Sequence, residues 1–299
     1  MTTSTPNHPE LTRQFVKLCD LPDFDEPRLR AMLRSISPQD DEHSELHRKL
    51  WEYAMLGMYL EDVGAIREDA RMLAVAAGHE EPLFWLANRI ERMVATDIYG
   101  DGGFAVEGRE ADASMLTDPA SFAPYPYRED HLEVQHMNAL DLKFPDDSFD
   151  AVFSLSSIEH FGSPANFQRA AAEMSRVVRP GGHVIIVTEV LIGQKLFDVP
   201  AVNYAIKLAS LGRKAQGARW NKRAQDAFTP RELERDIVAP VGHPLVQPLD
   251  TTLSPSSYDN LIDWAPDGTL TPKTGDPFPH IMLQAHGSPW TSAFLAFQV

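Results

Sequence analysis

The chain has 299 residues, 43% hydrophobic and 23% charged, a balance that lets a globular protein bury its core without covalent staples. Its formal net charge of −16 argues against a nucleic-acid partner, because affinity for a phosphate backbone comes from Lys and Arg. No apolar run reaches the roughly 20 residues that a membrane span needs, so no membrane partner is expected.

In chain order, the opening MTTSTPNHPELTRQ lacks the apolar core of a secretory signal, and residues 1–8 form a polar, frayed end. The single cysteine, Cys19, permits neither an intramolecular disulfide nor a cysteine zinc cluster, which points to a reducing, cytoplasmic setting. Short amphipathic segments over 10–36 are broken by Pro22, Pro27 and Pro38. Over 42–64, Leu46, Leu50, Tyr53, Ala54, Gly57 and Met58 recur at helical spacing, predicting a helix that Gly64 ends. Residues 1–64 therefore read as an N-terminal helical extension or cap. Within it, His43 and His47 stand four apart, the spacing of two metal ligands on a helix. No His-Glu-x-x-His pattern and no third ligand accompany them, so a solvated face is preferred and no metal is expected. Trp51 and Tyr53 read first as core, second as pocket wall.

From 65 to 299 strand and helix signals alternate. RMLAVAA (71–77) predicts a strand, EPLFWLANRIER a helix and MVATDIYG (93–100) a second strand. A loop and helix fill 101–128. HLEVQHM and the run from Phe149 predict two further strands. SPANFQRAAAEMSRVVRP predicts a helix with Ser163 as N-cap and Pro164 in its first position, stopped by Pro180-Gly181-Gly182. HVIIVTEV is the next strand. Residues 190–228 break the rhythm, carry Lys195, Lys207, Arg213, Lys214, Arg219, Lys222 and Arg223, and read as a lid insertion whose basic part, 207–223, is either a solvated face or an attractor for an anionic substrate. PHIMLQA and TSAFLAFQV, joined by HGSPW, predict a hairpin. Alternation of this kind predicts an α/β fold, a mostly parallel sheet with helices on both faces and an antiparallel last strand. Ligands of such sheets bind beyond the strands' carboxyl ends, which places the chemistry near 76–80, 97–99, 138–140 and 154–160.

Two segments, FPDDSFDAVFSLSSIEHF (144–161) and EMSRVVRPGGHVIIVTE (173–189), resemble the fourth-strand signature and the following helix, turn and strand of the class I methyltransferases that use S-adenosyl-L-methionine (SAM). The resemblance, over 71–189, implies a Rossmann-like seven-stranded sheet and SAM as cofactor. It implies that Asp97 accepts the ribose hydroxyl hydrogens, against a plain helix N-cap, and that Ile98 covers one adenine face. Asn138 and Ala139 fall where the family meets the adenine edge, against a plain strand-end cap. Ala76, Gly78 and Glu80 occupy the glycine positions of the family loop, of which only Gly78 is a glycine, and Ala74 stands where the family has an acid. Ser154 belongs to the same implied cofactor set. Methyl transfer is a direct displacement in which positioning dominates. His160 is the candidate general base, against a histidine that only orders its loop, and Glu159 the residue that orients it or binds substrate.

The expected function is methyl transfer to a small-molecule or sugar-like acceptor, with the oligomeric state open. The alternative is a methyltransferase-fold scaffold that has lost catalysis. A nicotinamide oxidoreductase ranks last, since no Gly-x-Gly-x-x-Gly fingerprint occurs. Asp146-Asp147 reads as a turn before a strand rather than a metal site.

Overall fold

The structure, a computed structural model, describes residues 11–38, 41–102, 111–192, 205, 208–209, 226–265, 268–285 and 288–299. Among them one sheet contains β1 (Lys17–Leu18), β2 (Arg71–Val75), β3 (Arg92–Asp97), β4 (Leu132–His136), β5 (Phe149–Leu155), β6 (Val178–Leu191), β7 (Leu261–Trp264), β8 (Leu270–Pro272), β9 (Met282–Ala285) and β10 (Ser288–Gln298). The strand order is β4-β3-β2-β5-β6-β10-β9-β7-β8, with β1 paired to β10. β4 through β6 are parallel along that path. The runs of β2, β3, β5 and β6, such as Met72–Val75 and Val184–Val187, are apolar almost without alternation because both faces are covered, whereas the edge strand β4 alternates and is only partly buried. β9 and β10 make the expected hairpin, and β10 runs antiparallel between β6 and β9. This is the Rossmann-like architecture anticipated, enlarged by β1, β7 and β8. Those strands are two to four residues long, too short to show a period in sequence.

The N-terminal segment joins this core. α1 (Pro27–Ile36) and α2 (Arg48–Asp62) pack together, and α2 lies against β10. They approach so closely that a Cβ at Gly57 would meet Met32 Sδ at 2.6 Å. α2 starts six residues later than its apolar period suggests, because His47 caps it: Nδ1 accepts from Lys49 N–H at 3.0 Å. Trp51 is core, its Nε1 donating to Asp23 Oδ2 at 2.8 Å.

After β2, α3 is short, Pro82–Ala87. α4 (Pro164–Arg176) has the predicted start, with Ser163 Oγ accepting from Asn166 N–H at 3.2 Å. Its end corrects the expectation. The helix stops at Arg176, and β6 has already begun at Val178, so Pro180-Gly181-Gly182 lies inside the strand span and is not the helix terminator. Gly181 takes the left-handed conformation at φ 81°. At Gly182 a Cβ would meet Asp150 O and Val178 Cγ1, both at 2.6 Å. Gly182→Ala should therefore destabilise the fold by about 1–3 kcal/mol, read as a lower midpoint in urea unfolding. Asp146 and Asp147 form the expected turn, Asp147 at φ 58° and Asp146 paired with Arg176 at 2.6 Å.

The polar end 1–8 and all seven cations of the anticipated lid lie outside the described residues. Past that insertion, Phe228 N–H donates to Glu189 O at 2.8 Å, returning the chain to β6. No described helix is long and apolar enough to cross a membrane.

Candidate active site

The order of strands reverses between β2 and β5, and there a cavity of about 740 Å³ opens at their carboxyl ends. One side is built by the loop after β2. Ala76 (φ 52°) and Gly78 (φ 50°) both take left-handed backbone, which turns the chain sharply past the strand end. The turn is held from three directions. Ser157 Oγ donates to Ala76 O at 2.9 Å, Tyr99 Oη donates to Gly78 O at 2.6 Å, and Gly78 N–H donates to Asp97 Oδ2 at 2.9 Å. The other oxygen of Asp97 accepts from Ile98 N–H at 2.7 Å, so the carboxylate is fixed at the end of β3. Ile98 beside it exposes 38% of its surface as an apolar wall of the cavity. Asn138 and Ala139 also line the cavity. Asn138 Oδ1 accepts from Leu140 N–H at 2.9 Å, so its carbonyl already caps the turn after β4, the plainer of its two readings.

The other side comes from the first turns of α2 and from the C-terminal half. His47, Arg48, Lys49 and Tyr53 line it, as do Glu189, Trp264 and Trp290. The two indoles are 6.3 Å apart at 30°. Lys49 pairs with Glu80, lies 3.3 Å from Glu52 Oε2 and donates to Leu155 O at 2.8 Å. Burial pushes the Glu80 carboxyl up to about 7, against the lowering pull of Lys49. Glu52 is wholly buried. Its Oε1 accepts from Ser156 Oγ at 2.7 Å and Ser292 Oγ at 2.5 Å. Arg48 bridges Glu52 and Glu189. The charges in this network are paired, while Arg48 Nε and Glu52 Oε2 are buried without a hydrogen-bond partner.

His160 lines the cavity just past β5, its Nδ1 3.5 Å from Asp226 Oδ2. Burial lowers its pKa, but Asp226 and the negative charges of Glu159 and Glu189 outweigh that and hold it above 6.5. His47 stacks on His280 with ring centroids 4.2 Å apart and planes 4° apart. Burial, followed by the neighbouring His280, pulls His47 down to about 2, so the pair is neutral at ordinary pH. His43 is exposed and bonded to Asp276, apart from His47. Among the described residues no group of three or more His, Cys, Asp and Glu side chains could hold a metal.

The cavity thus gathers Ala76, Gly78, Glu80, Asp97, Ile98, Asn138, Ala139 and His160. Two anticipated residues stand outside its lining. Ser154 sits within β5 opposite Ile186 and is buried, because the strand runs on to Leu155; Ser156 and Ser157 take the strand-end place instead. Glu159 is buried behind the wall, accepting from Thr188 Oγ1 at 2.8 Å, and burial raises its pKa. It touches the site through its charge on His160 and not as a group open to substrate. Sequence reasoning missed Arg48, Lys49, Glu189, Asp226, Trp264 and Trp290. All but Glu189, which sits near the carboxyl end of β6, lie far from the strand ends along the chain, and only His47 and Tyr53 carried a local signal.

A family model described as a methyltransferase domain matches residues 73–186. Two curated relatives each match part of the chain. A 27-O-demethylrifamycin SV methyltransferase of Amycolatopsis mediterranei is 28% identical over 121 residues, 40% of this chain and 39% of that protein. A demethylmenaquinone methyltransferase of Lysinibacillus sphaericus is 30% identical over 125 residues, 40% of this chain and 45% of that protein. The chain thus spans less than half the length of either relative. A solved SAM-dependent methyltransferase of Methanosarcina mazei aligns with 79% of this chain and 94% of its own at a TM-score of 0.43 and 15% identity.

Proposed function

We propose, for a chain whose residues 73–186 belong to the methyltransferase domain family, that the cavity binds SAM and delivers its methyl group to a small-molecule hydroxyl. One observation carries the reading. Asp97 is a carboxylate locked by two backbone amides at the end of β3, on the wall of a cavity that reaches His160. The residues suit the ligand. Asp97 is placed to accept ribose hydroxyl hydrogens, and Ile98 offers an apolar face to the adenine. The loop at 76–78 brings backbone and small side chains to the cavity, so alanine in place of glycine at 76 leaves the approach open, while Glu80 adds a carboxyl to the wall.

SAM, when bound, supplies an electrophilic methyl on a sulfonium. The chain's own task is to align the acceptor and take up its proton. Trp264, Trp290 and Tyr53 give the acceptor an apolar, aromatic wall. His160, oriented by Asp226, receives the hydroxyl proton. Relatives named for a demethylrifamycin and a demethylmenaquinone support a small-molecule acceptor.

Calorimetric titration with SAM and with S-adenosylhomocysteine is the first test. Binding in the micromolar range is expected. Binding of neither would overturn the reading and leave the scaffold alternative in its place. If both bind, transfer of labelled methyl to hydroxylated small molecules, with release of S-adenosylhomocysteine, tests the second half.

A further inference from the structure

Glu189 lines the cavity, and the steps above leave it unused. It stands near the carboxyl end of β6, its backbone held by β10 and by the bond from Phe228 N–H at 2.8 Å. Its carboxylate meets Arg48, which is fixed independently: Arg48 Nη1 donates to Ser292 Oγ at 3.1 Å and lies 3.5 Å from Glu52 Oε1. The Arg48 contact takes Glu189 Oε1. Among the described residues no donor is bonded to Oε2, and Glu189 keeps 7% of its surface open. The residue is remote from the carboxylate assigned to the ribose, because three strand spacings, about 14 Å, separate β6 from β3. It belongs to the half of the cavity that holds His160, whose imidazole feels its charge.

The sheet register sets an aromatic floor beside this carboxylate. Trp290 pairs with Leu191, two residues beyond Glu189, so Trp290 and Glu189 are diagonal neighbours on one face. Trp290 also pairs with Leu283, Leu283 with Ile262, and Trp264 follows Ile262 by two, so the same face continues to the second indole. A flat apolar ring fits this floor, and Glu189 then meets its edge. A carboxylate oxygen accepts, so the edge must donate. Arg48 already balances the charge of Glu189, so a neutral hydroxyl completes the oxygen without adding a charge that nothing would pair. We propose that Glu189 binds a second hydroxyl of the acceptor, and that the acceptor is an aromatic diol, one hydroxyl held by Glu189 and the other presented to His160. The inference rests on the SAM reading and names the acceptor class for its hydroxyl half.

The test uses a matched set of probes: 2-naphthol, its 2,3-, 2,6- and 2,7-dihydroxy counterparts, and 2-(aminomethyl)naphthalene. Each is titrated calorimetrically into wild type and Glu189→Gln, both saturated with S-adenosylhomocysteine. Wild type should bind at least one diol about tenfold or more tightly than 2-naphthol. Glu189→Gln keeps the side chain's shape and leaves Arg48 its contact with Glu52. It should reduce that preference to about threefold or less while binding 2-naphthol and S-adenosylhomocysteine within about threefold of wild type. The S-adenosylhomocysteine arm reports that the variant is folded. Diols that bind wild type no more tightly than 2-naphthol, a variant that keeps the preference, or one that weakens 2-naphthol as much as the diol overturns this subsite alone. Tighter binding of the amine than of every diol also overturns it and assigns Glu189 to an ammonium. Failure of wild type to bind S-adenosylhomocysteine overturns the SAM reading and the subsite with it.

Discussion

Asp97→Ala should weaken SAM and S-adenosylhomocysteine binding by about 100-fold or more, measured by calorimetry. Each hydrogen bond to a charged group contributes about 1.5–3 kcal/mol, and a carboxylate facing a ribose makes two. The effect on stability should be smaller. The amides of Gly78 and Ile98 lose an acceptor, but they border a cavity that water can enter. Asp97→Asn separates the two roles. It keeps an oxygen for one amide and replaces the other with a donor, so binding should fall by an intermediate amount. Wild-type affinity in Asp97→Ala, with an unchanged melting temperature, would remove this residue from the site.

Much of the fold could be read from the chain because its inner parallel strands, β2, β3, β5 and β6, are buried on both faces. Burial makes them short apolar runs between helices, and Ser163-Pro164 marks a helix start by chemistry that needs no tertiary context. The ends of elements were less legible. α2 begins at Arg48 because His47 caps it and stacks on His280, a partner more than two hundred positions away in the chain. Similarly, Pro180-Gly181-Gly182 has the composition of a helix stop but lies within β6, where the backbone of Asp150 leaves no room for a Cβ at Gly182.

The site divides the same way. The switch-point rule gave the stretches that hold Gly78, Asp97 and Asn138, all of which line the cavity, while the family resemblance gave their expected roles. Ser154 failed by the smallest margin such reasoning allows. β5 runs one residue further, to Leu155, and the side chains past the strand end belong to Ser156 and Ser157. Arg48 and Lys49, and the pairing of Arg48 with Glu189, could not be found in this way. Their relation is an ion-pair network across α2 and β6, and it exists only once β10 has brought those elements together.

His160→Gln should lower kcat by about 10²–10⁴-fold while leaving S-adenosylhomocysteine affinity within a few fold, if the acceptor is a hydroxyl that must lose its proton. Tenfold or less would mean that positioning alone drives the reaction and that the histidine only orders its loop. The pH profile gives an independent reading. A general base works when unprotonated, so kcat/KM should rise with pH through the imidazole pKa, with a midpoint above the ordinary value of about 6.5. Burial alone would set that midpoint lower; Asp226, then Glu159, hold it up. Asp226→Asn removes the strongest of the raising contacts, so the rising limb should move to lower pH even as the plateau falls with the loss of orientation. Glu159→Gln should move the limb in the same direction with less loss at the plateau, because Glu159 acts on the imidazole through its charge and lies outside the cavity. A limb that stays fixed in both variants would assign the titration to another group and leave His160 without the role of base.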